Sequence, residues 1–171
     1  MSKKALIIIA QTGFQDKELE GTRNGLKAAG FSITLVSTKK GECRGKFGST
    51  EQAEIALKDV NVSDYDRIAY IGGPGAAALK DDPDAVRIAQ ETVQASKPLG
   101  AICIAPTILA AAGVLRGKRA TGWDDGEGTQ IRFLEKAGAT FTGASVTKDG
   151  LIVTGNGPEA AEEFGRVFAK L

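Results

Sequence analysis

"GAICIAPTILAAAG", residues 100–113, sets an apolar run against a small-residue segment, with a cysteine at 103 and a proline at 106. The stretch reads as a strand, a tight turn and a helix. Ala101 and Ala105 leave room for the turn, and Pro106 suits a first helical turn, where its missing N–H removes no bond. A cysteine on such a turn stands at the rim of a sheet with a helix N-terminus aimed at it. The free N–H groups and the dipole there favour a thiolate and lower the thiol pKa from about 8.5. This is the geometry of a nucleophile elbow, without the flanking glycines of the hydrolase pattern. Read alone, Cys103 is equally a small core residue, since free cysteine is among the most buried residue types.

Working outward, the same alternation repeats along the chain. "ALIIIA" (5–10), "FSITLVS" (31–37), "RIAYIGG" (67–73), "PLGAICI" (98–104) and "GLIVTG" (150–155) read as strands, the first apolar throughout, as in a strand covered on both faces. Between them, "DKELEGTRNGLKAAG" (16–30) carries Leu19, Thr22, Leu26 and Ala29 at helical spacing and ends on Gly30. "DPDAVRIAQETVQAS" (82–96) opens with Asp82 before Pro83. "TQIRFLEKAG" (129–138) and "PEAAEEFGRVFAKL" (158–171) complete the helices. The pattern predicts an α/β fold, a mostly parallel sheet with helices on both faces. Residues 38–58 interrupt it with glycines at 41, 45 and 48 among charges, which predicts a β-hairpin or irregular excursion. Without repeats or linkers, 171 residues form one domain.

The composition narrows the function classes. A net charge of +1 gives no electrostatic reason to expect nucleic acid or an anionic membrane, and 6% aromatics are too few for a base-stacking platform. The apolar core of "MSKKALIIIAQTG" is too short for a secretory signal, and no run reaches transmembrane length. Two cysteines make no disulfide framework, and the cytoplasm is the expected compartment. No metal or cofactor is expected.

Ligands of open parallel sheets bind beyond the carboxyl ends of the strands. Four loops fall there: "QTGFQDKE" (11–18), "GGPGAAAL" (72–79), "CIAPT" (103–107) and "TGNGPEA" (154–160). The second could bind an oxyanion near Cys103, with the N–H groups of Gly73 and Ile104 as donors. It is equally a plain tight turn. Gly72, Pro74, Trp123 and Asn156 are the expected pocket residues. Trp123, in the polar loop "TGWDDGEG" (121–128), either walls a pocket or covers the core edge; Asp124 and Asp125 resemble a weak cation site, but with Glu127 they read rather as a solvated acidic loop. Cys43, in the excursion, is expected to have no chemistry. Because the chain contains no histidine, no subunit of a homo-oligomer can lend one, and a Cys–His protease mechanism is excluded. Among the carboxylates, Glu18 stands beside the Leu19–Leu26 stripe at the start of the first helix, where by itself it reads as a solvated residue complementing the dipole.

"ALIIIAQTGFQDKELEGTRNGLKAAG" (5–30), "YIGGPGAAAL" (70–79), "AICIAPTILAAAGVLRGKRAT" (101–121) and "KDGLIVTGNGPEAAEEF" (148–164) together resemble the DJ-1/PfpI superfamily, in order along nearly the whole chain. The resemblance implies a flavodoxin-like sandwich and a homodimer or larger homo-oligomer. It also implies a reactive cysteine at Cys103, a protonated acidic partner at Glu18 and an oxyanion pocket at Gly73 and Ile104. Two departures qualify it. Protease-like members carry a histidine directly after the cysteine, where this chain has Ile104. Some dicarbonyl-processing members carry one in the segment where Trp123 stands.

Three functions follow as expectations: a glyoxalase- or deglycase-like enzyme taking small carbonyl substrates, an oxidant-responsive protein whose cysteine forms a sulfinate, and a binding member whose cysteine is residual.

Overall fold

The computed structural model describes residues 2–171. Its strands are β1 (Lys3–Ile8), β2 (Thr12–Phe14), β3 (Phe31–Ser37), β4 (Gly41–Gly45), β5 (Thr50–Ala53), β6 (Ile55–Ala56), β7 (Arg67–Tyr70), β8 (Leu99–Ile102), β9 (Arg119–Ala120), β10 (Thr140–Phe141), β11 (Val146–Asp149) and β12 (Ile152–Gly155). The α-helices are α1 (Asp16–Ala28), α2 (Pro83–Gln94), α3 (Pro106–Ala111), α4 (Thr129–Lys136) and α5 (Ala161–Ala169).

The central sheet runs β11-β12-β8-β7-β1-β3-β6, parallel except for the β11–β12 pair. Its long parallel strands stand in the order second, first, third, fourth, fifth, the flavodoxin-like arrangement, with the topological switch point between β1 and β7. β1 is apolar throughout because it is covered twice. Leu6 and Ile8 face the core under α2, α3 and α4, and Ala5 and Ile7 face the core under α1 and α5.

Local chemistry sets the helix ends. The Asp82 carboxylate accepts the N–H groups of Asp84 and Ala85, capping α2 ahead of Pro83. Gln15 caps α1 through Glu18 N at 3.1 Å. α1 and α5 approach through glycines. A Cβ on Gly21 would lie 2.6 Å from the Ala161 carbonyl carbon, and one on Gly25 would collide with the Gly165 backbone.

The 38–58 excursion is the antiparallel β4–β5 hairpin followed by β6. Several expected boundaries move. The "RIAYIGG" strand ends at Tyr70, and Gly73 leaves it at φ 107°. The final helix begins with a 3-10 turn, Pro158–Ala160, before α5. No helix among the described residues is long and apolar enough to cross a membrane.

Candidate functional site

The strand-to-helix turn after β8 is a strained elbow. Cys103 holds φ 65°, a left-handed conformation that costs a non-glycine residue of order 1–3 kcal/mol and persists only where its surroundings enforce it. They do so on both sides: Cys103 N donates to Gly155 O at 2.9 Å, and Cys103 O accepts Trp123 N at 2.8 Å. The turn lifts the side chain from the sheet, yet the residue is only 9% exposed.

Glu18 comes to the elbow from beyond the switch point. It is fully buried, and its Oε1 accepts the Gly72 N–H at 3.0 Å. Oε2 has no hydrogen-bond partner among the described residues. Gly72 makes this approach possible. A Cβ there would lie 2.6 Å from both the Cys103 Cβ and Glu18 Oε1, so the glycine keeps the floor of the site open for two side chains. Gly73 cannot carry a side chain either, since at φ 107° its Cβ would meet Gln15 N at 2.5 Å.

Burial decides the electrostatics. Desolvation pushes the Glu18 carboxyl up from 4.5 to about 7, against the opposing hydrogen bonds of Cys103 and Gly72. Desolvation, joined by the charge of Glu18 and by hydrogen bonding to it, pushes the Cys103 thiol up to about 12. The N–H groups of Ile104 and Gly73 point at the sulfur and pull the other way without winning. The expected low thiol pKa is therefore corrected. A six-residue α3 supplies a weak dipole, and desolvation together with the Glu18 charge outweighs it. The two groups titrate as one unit. A proton on Glu18 removes the charge that opposes the thiolate.

A cavity of about 190 Å³ opens above the sulfur, lined by Gln15, Lys46, Gly73, Pro74, Cys103, Ile104, Trp123 and Pro158. Of the expected residues, the structure brings Cys103, Glu18, Gly73, Ile104, Pro74 and Trp123 together at or beneath this cavity. Gly72 lies under it as a spacer and not in its wall. Asn156 is not among the residues lining it; its backbone N–H donates to Ser145 O, and Pro158 provides the wall from that loop.

Sequence reading missed Gln15 and Lys46. Gln15 carried a signal as the cap before α1. Lys46 carried none, because only the tertiary fold lays the β4–β5 turn over the site. The Asp16 carboxylate fixes that turn by accepting Phe47 N and Ser49 N, each at 2.9 Å. The acidic loop turns its carboxylates inward, Asp124 to Gly126 N and Asp125 to Glu127 N and Thr129 N. Among the described residues no cluster of three or more His, Cys, Asp or Glu is placed to hold a metal. Cys43 is buried in β4 and unpaired in any disulfide.

This geometry has relatives. A deglycase of Pyrococcus abyssi is 32% identical over 97% of this chain and 98% of its own. General stress protein 18 of Bacillus subtilis is 31% identical over 97% of this chain and 95% of its own. The crystal structure of Drosophila melanogaster DJ-1beta superposes with a TM-score of 0.87 at 27% identity, covering 99% of this chain and 90% of that one. The DJ-1/PfpI family pattern matches residues 3–171, through every element that builds the elbow and its acidic neighbour. The chain belongs to the DJ-1/PfpI family.

Proposed function

We propose that the protein is a cysteine-dependent enzyme acting on small reactive carbonyls such as methylglyoxal, or on their amine adducts. One observation carries this reading: a buried carboxyl poised near neutrality lies beside a strained-turn cysteine at the floor of a small-molecule cavity. A deglycase among its relatives supports the same chemistry.

In the reactive form the single proton of the pair sits on Glu18 and the sulfur is a thiolate. The thiolate adds to the aldehyde carbon, and the oxyanion forms beside the Gly73 and Ile104 N–H groups. Glu18 protonates it, giving a hemithioacetal. As carboxylate, Glu18 then takes the C–H proton and returns it to the neighbouring carbon, while the hydroxyl proton passes between the two oxygens. The product is a lactoyl thioester, which water cleaves to lactate and free thiol. With an amine adduct, the sulfur displaces the amine, which leaves with a proton from Glu18. A positioned acid–base group contributes about 10²–10⁴-fold, so a single carboxyl without histidine predicts a slow enzyme. Lactate formation from methylglyoxal tests the proposal. Cys103→Ser and Glu18→Gln should each abolish it, and wild-type turnover no faster than either variant overturns it.

Glu18 Oε2, buried without a partner, favours a second reading, because a protonated Oε2 would donate to an oxidised sulfur. Two equivalents of peroxide would convert the thiolate to a sulfinate and release two waters. Intact mass after mild peroxide treatment decides it: two added oxygens confined to Cys103 support this reading, and an unmodified thiol rejects it.

A further inference from the structure

Ile104 belongs to two walls. Its backbone N–H faces the Cys103 sulfur, and its residue lines both the cavity above that sulfur and a second cavity of about 170 Å³. The second is bounded by Ala77, Lys80, Ile104, Thr107, Thr129, Gln130 and Phe133. Each cavity alone falls below the about 300 Å³ of a typical small-molecule site, and Ile104 is the residue the two share.

The chemistry of the second cavity is specific. Ala77, Ile104 and Phe133 give it an apolar wall, and Phe133 leaves 36% of its surface in water. Thr107 adds its methyl group, because its hydroxyl is committed to Ile104 O at 2.6 Å. Against these stands one buried, unpaired polar atom: Gln130 Oε1 has no hydrogen-bond partner among the described residues. Buried polar atoms are nearly always paired, which leaves this one free to accept an N–H or O–H from a bound molecule. Lys80 at the rim is already engaged, donating to Ala77 O at 3.2 Å.

We infer that the second cavity is a subsite for the apolar arm of the substrate, which makes aryl or branched-alkyl 2-oxoaldehydes and their adducts better substrates than methylglyoxal. The inference rests on the carbonyl-processing reading above. The reacting aldehyde lies over Cys103, its arm passes Ile104 and packs on Phe133, and Gln130 Oε1 accepts from those arms that carry a hydroxyl or amide N–H. Ile104 then sets specificity through its side chain while its N–H serves the reacting atoms.

The test compares phenylglyoxal with methylglyoxal in wild type and in Ala77→Phe, which fills the second cavity. Wild type should favour phenylglyoxal by about tenfold or more in kcat/KM, chiefly through KM. Ala77→Phe should cut that preference at least fivefold. An equal loss on both substrates, or no preference in wild type, overturns the subsite. Mandelate, the product expected from phenylglyoxal, separates this from the functional reading. Titrated into wild-type protein, it should shift the backbone amide resonances of Gln130 and Phe133, and Ala77→Phe should weaken its binding. If neither aldehyde is turned over, the functional reading fails while these shifts still report on the cavity. Their absence overturns the subsite.

Discussion

Glu18 and Gly72 meet across 54 residues of chain, Oε1 of the buried carboxyl accepting the Gly72 N–H at 3.0 Å beside the Cys103 thiol. That bond orients the acid without neutralising it. The carboxyl is oriented but not charge-compensated, so its proton stays available near neutrality.

The first prediction concerns reactivity. The doubly protonated pair loses its first proton near pH 7, and the thiolate tautomer is drawn from the resulting one-proton state. The alkylation rate of Cys103 by iodoacetamide should therefore rise through about pH 7 and level off, well below the thiol's own value. Glu18→Gln should abolish that inflection and leave only an alkaline one. A wild-type profile unaltered by the substitution contradicts the coupling.

Stability should depend on pH in a stated direction. The folded-state pKa of Glu18 is raised above its unfolded value of 4.5, so above pH 4.5 the unfolded chain binds fewer protons at this group than the native one. The stabilising contribution is complete below pH 4.5 and lost as pH rises through about 7. By pH 8 the loss is about 3 kcal/mol. Urea unfolding at pH 5 and pH 8 should show this decline in wild type and a smaller one in Glu18→Gln.

Gly72→Ala should cripple the site while leaving the sheet intact. The new methyl group would lie 2.6 Å from both the Cys103 Cβ and Glu18 Oε1, so the two side chains must part. Overpacking of this kind costs about 1–3 kcal/mol. Chemical denaturation should report that loss, and the alkylation inflection near pH 7 should vanish with it.

Gly25→Ala sets two effects against each other. Helix propensity favours alanine by up to about 1 kcal/mol at this mid-helix position. The added Cβ would strike the Gly165 backbone, which cannot move without lifting α5 from α1. Backbone contact should win. A thermal melt should give a lower Tm than wild type, and an unchanged or higher Tm would show that the helices part at little cost.

Arg67 should anchor the last helix. Its guanidinium donates to Phe168 O at 2.6 Å and Leu171 O at 2.7 Å and lies 4.3 Å from the Phe31 ring centre. Arg67→Met keeps much of the volume but leaves two carbonyls without their charged donor, each worth about 1–3 kcal/mol. Amide hydrogen exchange should accelerate in residues 161–169 of α5 before it does in the central sheet.

The strand and helix order was legible because each element carries its own period. The twofold burial of β1 reads as "ALIII", and the caps at Asp82 and Gly30 are local events. The elbow was legible in outline from Pro106 and the small residues around Cys103. Glu18 was not legible from its spacing, which suits a solvated helix position. The family resemblance singled it out, and its full burial comes from the switch point, where the loops after β1 and β7 close over it. Lys46 escaped for a related reason: no periodicity tells a hairpin turn which distant loop it will cover. The direction of the thiol shift was misjudged, because a helix terminus is visible in sequence whereas the desolvation beneath it is not.

By itself, the sequence determined that this chain folds as a doubly wound α/β unit, that a cysteine stands at the rim of its sheet, and that these 171 residues hold no histidine to activate it. Those are statements about residue type and local period. Tertiary structure decided which carboxyl meets the sulfur, how dry that meeting is, and that Ile104 stands between two cavities. Proton affinity is set by solvent exclusion and by neighbours far apart in the chain, and both exist only once the chain has closed around them.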